Sequence, residues 1–415
     1  MSHRGMRGSA MRTYAVRVLA STVMGVLLLP TAFSSHALPG AASAASVRRD
    51  APVTACAGRT PATFAPLSVT ALFETDLTTH QRFRALRAYA VEDAYPVAFV
   101  GNDLYLTYGT YSCDRVAKVP LSGGRVVQSP WLALDSLQVA YGAVWVVVNV
   151  PHGTSNSAAA LVQLSSETLS VERTIAIPST YNDGELAASD GAIWLPANTG
   201  PRLLRVDARS GEQTPVLLPG MAHDLTIGGL VAGSGGSLLY VNGLNQNSAR
   251  WNQETERFVP ATRQFEVVRG TLGFAITGLI GVAGNRLWVS TMGGMVSHAA
   301  PISAVTLLPS RCATYGSCTF NGFNGIFSVT TGPNLAWMTH AGGWLECADS
   351  SSRFPRATVR IPGFGPITGG YSGNDSAPSP VAARGNYLAV DAQFRSSNPG
   401  RTSSELAIFP VDPRC

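Results

Sequence analysis

One short phrase recurs along this chain at near-even spacing, and it restricts the possible fold more than any other feature. Glycine or asparagine is followed by any residue, then an aliphatic, then usually an aromatic. The copies read NDLY at 102–105, GAVW at 142–145, GAIW at 191–194, GSLL at 236–239, NRLW at 285–288, NLAW at 334–337 and NYLA at 386–389. Their fourth positions lie 40, 49, 45, 49, 49 and 52 residues apart. A repeat of this length belongs to propellers and arrays, whereas a parallel β-helix needs a much shorter one.

The flanks of the phrase repeat as well. An apolar run precedes it, as in LQVAY (137–141), TGLIGVA (277–283) and SPVAA (379–383). The glycine or asparagine makes a tight turn, because both tolerate positive φ. The aliphatic–aromatic step then opens a second strand. A third follows, such as LVQLS (161–165), LLRVD (203–207) or LAIFPVD (406–412), and a polar hairpin comes next in SSETLS (165–170) and DARSGE (207–212). A fourth closes with an aliphatic–proline step at Ile177-Pro178, Leu218-Pro219, Leu308-Pro309 and Ile361-Pro362. Four short strands joined by turns make one antiparallel blade. Seven phrases therefore predict an all-β fold, a seven-bladed β-propeller of four-stranded antiparallel blades. Composition agrees: 42 Gly and 26 Pro favour turns over long helices, and 45% apolar residues supply a core. Trp145, Trp194, Trp288 and Trp337 are expected to fill the space between sheets.

The last unit ends at its third strand, 405–412, so the N-terminal chain must supply the fourth. Arg82–Tyr89 (RFRALRAY) stands in the right place, Ser68–Glu74 (SVTALFE) competes with it, and 76–90 also reads as a short helix. The expected division is a signal peptide over 1–44, a largely irregular leader over 45–80, and the propeller over 81–415, closed by an N-terminal strand.

The signal rests on four arginines within residues 1–17, an uncharged apolar run over 18–33, and the small-residue sites Ser35-His36-Ala37 and Ala42-Ser43-Ala44. That order is the secretory pattern. The apolar run is short for a membrane span of about 20 residues, and no later segment reads as transmembrane. Val53-Thr54-Ala55-Cys56 has the form of a lipoprotein box but lies some twenty residues beyond the apolar run. Lys118 is the one lysine among thirty basic residues, which points to a GC-rich bacterial genome. Without the four signal arginines the formal charge falls from +5 to +1. A chain so nearly neutral carries no electrostatic footprint for nucleic acid. The expected protein is an exported monomer.

All six cysteines, Cys56, Cys113, Cys312, Cys318, Cys347 and Cys415, follow the signal. An even count in an exported chain suggests disulfides. Cys312 and Cys318 enclose only five residues and form the expected pair; the other four leave three pairings open. No spacing fits a zinc site.

The strand Gly-x-aliphatic-Trp-aliphatic, followed by an Asp/Asn-x-x-Thr/Ser-Gly hairpin, resembles the streptogramin B lyase (virginiamycin B lyase) family of seven-bladed propellers. SDGAIWLPANTGPRLLRVDARSGE (189–212) and AYGAVWVVV (140–148) carry it most clearly, and at repeat level it extends over 96–412. The resemblance implies a divalent metal such as Mg²⁺ held by His and Glu at one mouth of the ring. One habit of the family is a Glu three residues after a repeat Trp; here those positions are Val148, Ala197, Thr291 and His340. No catalytic residue is carried over.

In a propeller, the loops between second and third strands share one face with the loops between blades. Polar residues expected there include Asn149, His152, Asn198, Asn245, Tyr371, Asn374 and Asp375. The candidate ligand or metal site is His340, His223, Asp224, Glu185 and Asp183, where imidazole and carboxylate together can hold an ion or work as an acid–base pair. The expected function is an exported binding or scaffold module for a small molecule, a glycan or a protein. The alternatives are a metal-dependent lyase or hydrolase and a cell-envelope structural protein.

Overall fold

Every copy of the phrase opens the second strand of an antiparallel sheet. The computed structural model describes the strands and tighter turns between residues 64 and 410; residues 1–63, 411–415 and several connections, among them 151–157, 182–185, 219–225, 304–325 and 361–380, lie outside the described residues. Four strands come from the N-terminal segment: β1 (Phe64–Pro66), β2 (Phe73–Asp76), β3 (Arg82–Arg84) and β4 (Arg87–Val91). Sheet one follows as β5 (Tyr95–Val100), β6 (Asp103–Thr110), β7 (Cys113–Pro120) and β8 (Val127–Gln128). Sheet two is β9 (Leu134–Ala140), β10 (Ala143–Val150), β11 (Ala158–Ser165) and β12 (Val171–Ile177). Sheet three is β13 (Ala187–Ser189), β14 (Ala192–Pro196), β15 (Arg202–Asp207) and β16 (Gln213–Leu217). Sheet four is β17 (Thr226–Ala232), β18 (Leu239–Leu244), β19 (Glu254–Val259) and β20 (Gln264–Val268). Sheet five has β21 (Ala275–Ala283), β22 (Arg286–Gly293) and β23 (Val296–Ser303) among the described residues. Sheet six is β24 (Ile326–Thr331), β25 (Leu335–His340), β26 (Trp344–Asp349) and β27 (Ala357–Arg360), extended by β2 and β3. Sheet seven is β28 (Val381–Arg384), β29 (Tyr387–Arg395) and β30 (Thr402–Pro410), extended by β4 and then β1.

The turns explain the register. Tyr141 and Gly142 have φ 53° and 73°, and Asp190 and Gly191 have φ 51° and 67°. Two consecutive left-handed residues make the tight turn whose twist matches that of the flanking strands. Ala140 therefore faces Ala143, and Ser189 faces Ala192.

Strand β10 shows how the sheets stack. Ala143, Trp145 and Val147 pack with Ile193, Leu195 and Leu204 of sheet three. Val144, Val146 and Val148 pack with Tyr105 and Val116 of sheet one. Side chains alternate along a strand, so a strand buried on both faces reads as the near-continuous apolar run AVWVVVNV. The same face-to-face packing joins Trp194 and Leu203 of sheet three to Leu230 and Phe258 of sheet four. It also joins Leu104, Leu106 and Tyr108 of sheet one to Tyr89, Leu406 and Ile408 of sheet seven. Trp145, Trp194, Trp288 and Trp337 are all buried. The first strands are neighbours in series: β5 touches β9, β9 touches β13, and so on through β17, β21, β24 and β28, and β28 touches β5.

The N-terminal segment is in strands where a short helix over 76–90 was an alternative. Strand β4 pairs with β30, with Ala88 opposite Ala407 and Tyr89 opposite Leu406. Of the two expected candidates, the end of RFRALRAY takes that edge, because Ala88 and Tyr89 bury there. The end of SVTALFE lies instead in β2, where Thr75 and Asp76 pair with Arg360 and Val359. Residues 45–80, read as largely irregular, contribute β1 and β2 as short outer strands. Phe64 secures β1 by packing against Tyr89 at 5.1 Å and Tyr108 at 5.2 Å between ring centroids. Neither Cys113 nor Cys347 is a free thiol. Cys56, Cys312, Cys318 and Cys415 lie outside the described residues. Among the described residues, no helix is long and apolar enough to cross a membrane.

Candidate functional site

Of the five residues expected to form a site, His340 is the last residue of β25, opposite Ile326 of β24. His223, Asp224, Asp183 and Glu185 lie outside the described residues, as do His152, Asn245, Tyr371, Asn374 and Asp375. Asn149 stands on β10 opposite Ala159. Asn198 is exposed and tied to the turn before it: its amide N–H donates to the Thr180 carbonyl at 2.8 Å, and its side chain reaches the Ser179 carbonyl at 3.4 Å. Among the described residues, no three His, Cys, Asp or Glu side chains gather as a metal site would require.

The opposite edge, which carries the turns between first and second strands and the hairpins between third and fourth, is described in more detail. Basic side chains join one sheet to the hairpin of the next. Lys118 Nζ on β7 donates to the Ser166 carbonyl at 3.0 Å and pairs with Asp103 at 3.4 Å. The Tyr105 hydroxyl donates to the same carbonyl at 3.0 Å. Arg173 on β12 donates to the carbonyls of Ala208 at 2.6 Å and Arg209 at 3.0 Å, with its guanidinium 5.4 Å from the Trp145 ring centroid. Arg87 on β4 does the same for sheet one, donating from Nε to the Leu121 carbonyl at 3.3 Å. Its guanidinium occupies the space that a Cβ at Gly123 would need. A carbonyl at a hairpin has a spare lone pair, and a charged donor makes the stronger kind of hydrogen bond.

The receiving hairpins are themselves held by internal hydrogen bonds. Asp207 Oδ1 accepts from the Arg209 amide at 3.0 Å, the Ser210 amide at 2.8 Å and the Ser210 hydroxyl at 3.0 Å. Those bonds, the Ser210 amide foremost, hold its carboxyl below the usual carboxylate range. In sheet two, Ser165 Oγ accepts from the Glu167 and Thr168 amides.

Three polar groups meet where sheets two and three adjoin on this edge. The Tyr141 hydroxyl turns toward the Ala192 carbonyl at 3.5 Å. Burial of the hydroxyl end pushes its pKa up, against the opposing effect of backbone hydrogen bonds at Gly191 and Ala192; Asp190 and Arg205 add smaller, opposite electrostatic effects. Arg205 lies 3.7 Å from the Asp207 carboxylate and donates to the Asp190 carbonyl at 3.4 Å. Tyr141 remains 48% exposed. Sequence reasoning passed over this group. The available signal was Tyr141 itself, directly before GAVW, where sheet one has Gly101 and sheet three has Asp190.

No family model matches the chain, and no curated protein matches it. Three solved structures are similar to it in part. The computationally designed Ika8 protein is 10% identical over 77% of this chain and 98% of its own, with a TM-score of 0.43. BamB from Moraxella catarrhalis is 11% identical over 84% and 94%, at 0.42. YCF48 bound to D1 peptide is 11% identical over 84% and 98%, at 0.44.

Proposed function

We propose that the chain is an exported seven-bladed β-propeller that acts as a binding or scaffold module. The observation that carries this reading is the cycle of first strands, in which β28 returns to touch β5. Joined by β4 as the fourth strand of sheet seven, that cycle supports a ring with a central wall of first strands. The wall reads YPVAFV, LDSLQVA, AAS, TIGGLVA, AITGLIGVA, IFSVTT and VAAR, in which Asp135 and Arg384 are the charged residues. Small and apolar side chains with backbone groups offer shape and a few hydrogen bonds, which is what a binding surface needs. Acid–base catalysis needs paired titratable groups instead. Export is supported by the arginine-rich start, the apolar run and the A-x-A sites, and disulfides by the even cysteine count and the absence of a free thiol at Cys113 and Cys347.

The metal-dependent lyase alternative requires His340, His223, Asp224, Glu185 and Asp183 to converge around an ion such as Mg²⁺. Elemental analysis of purified protein, combined with melting in excess Mg²⁺ and in EDTA, separates the two. A binding module contains no stoichiometric metal and melts alike in both. One metal per chain, or a melting point raised by Mg²⁺ and lowered by EDTA, overturns the proposal, since a ligand held only by the folded state stabilises it.

A further inference from the structure

We propose that disulfides fasten both ends of the chain to the sheets that flank sheet seven: Cys56 to Cys113 of sheet one, and Cys415 to Cys347 of sheet six. Sheet seven joins the two ends of the chain, with β4 and β1 lying beside β30. Cys113 and Cys347 are both buried, and neither is a free thiol. They do not serve each other, because sheet seven stands between them: it packs on sheet one, and its first strand touches that of sheet six. Packed sheets lie about 10 Å apart, and bonded cysteines need Cα atoms within about 7 Å. Their partners are therefore among Cys56, Cys312, Cys318 and Cys415.

Direction and reach select the pairs. Strand β7 pairs with β6 without a break, from Pro120 opposite Asp103 to Cys113 opposite Thr110. Ala117 and Val119 of β7 pack toward sheet seven. Side chains alternate along a strand, so Cys113 faces sheet seven as well. Strand β1 begins at the same end of the molecule. Phe64 is opposite Val91, the last residue of β4, and its ring centroid lies 5.2 Å from that of Tyr108. Arg115, opposite Tyr108, is two residues from Cys113. Cys56 precedes Phe64 by eight residues, which span up to about 26 Å. Cys347 stands opposite Trp337. The tryptophans at this position in sheets two and three, Trp145 and Trp194, pack on the following sheet. Residues opposite each other share a face, so Cys347 faces sheet seven from the other side. It is two residues from the end of β26 at Asp349, on the hairpin edge. Hairpins on that edge are gripped by the preceding sheet, as Lys118 grips Ser166, Arg173 grips Ala208 and Arg87 grips Leu121. Strand β30 ends on the same edge at Pro410, five residues before Cys415, and five residues span up to about 17 Å. Cys113 is out of their range, being seven residues up β7 from that edge, about 23 Å. Cys312 and Cys318, in the connection from sheet five to sheet six, are left for each other.

Each bond forms as two thiols give up two protons and two electrons to the disulfide of a thiol oxidoreductase, which becomes a dithiol. An oxidising compartment supplies that partner, so the inference rests on the exported reading and goes beyond it in naming the links. Its test is peptide mapping of the exported protein, alkylated without reductant and digested with pepsin in acid, where disulfides do not exchange. The expected result is Cys56 linked to Cys113 and Cys347 linked to Cys415. Linkage of Cys113 or Cys347 to any other cysteine, or alkylation of either as a free thiol, overturns the proposal. Melting gives a second readout. Cys113→Ala should lower the melting point by about 5 °C, and adding Cys56→Ala should lower it no further, because the link is already gone; Cys347→Ala and Cys415→Ala should behave alike. Additive losses overturn the pairing. Neither readout depends on ligand or metal, so a wrong pairing leaves the binding-module reading standing.

Discussion

Single side chains on the hairpin edge do the work of joining sheets. Arg173 combines two charged hydrogen bonds with a stack over Trp145. Truncation of Arg173 to Ala should cost about 1–2 kcal/mol in urea unfolding, and no loss would show the contacts to be idle. Asp207 gives a pH test. Its folded-state pKa is depressed below the ordinary value near 3.8 by the Ser210 and Arg209 donors. A depressed carboxylate pKa adds stability that is fully present above the unfolded value and is lost as pH falls through the folded one. The stability difference between wild type and Asp207→Asn should therefore be present at pH 7 and shrink as the pH drops below about 4. A difference unchanged in acid would remove the carboxylate from the account. DARSGE was legible as a hairpin because Asp, Ser and Gly each have a turn-forming mechanism. The cations that grip it were not legible, since their targets are main-chain carbonyls, which every residue has.

At the scale of elements, a strand was readable wherever both its faces bury apolar groups, because it then appears as a near-continuous apolar run such as AVWVVVNV. The N-terminal segment was ambiguous because its strands are only three to five residues long, too short for a pattern to tell strand from helix. Only the partner edge decides whether RFRALRAY is strand or helix. Strand β4 lies between β30 and β1, so its removal uncovers the long backbone edge of β30. Deletion of residues 46–90 should produce oligomers in size-exclusion chromatography, because an open edge pairs with other chains. A monomeric deletion protein with unchanged melting would refute this. Phe64→Ala tests the outer strand separately. Loss of its contacts with Tyr89 and Tyr108 should cost about 1–2 kcal/mol and leave the protein monomeric.

For the whole molecule, the decisive contacts join residues far apart in the chain. Arg87 to Leu121 bridges sheets seven and one, as Arg173 to Ala208 bridges sheets two and three. In a closed ring these two interfaces are equivalent, so Arg87→Ala and Arg173→Ala should each lower one cooperative melting transition. In an open array the end unit is held by a single neighbour, and Arg87→Ala would then release an early, separate transition in calorimetry. The sequence alone determined the repeat, the strand that each phrase opens, the turn type and the burial of the four tryptophans. Those properties are local: a tight turn and the apolar run that follows it are written in adjacent residues. The tertiary structure alone decided which N-terminal strand meets β30, which sheet receives β2, and that Tyr141, Asp190 and Arg205 share one edge. Those depend on pairings across tens to hundreds of residues, and any edge with matching hydrogen-bonding groups could accept such a strand until packing selects one.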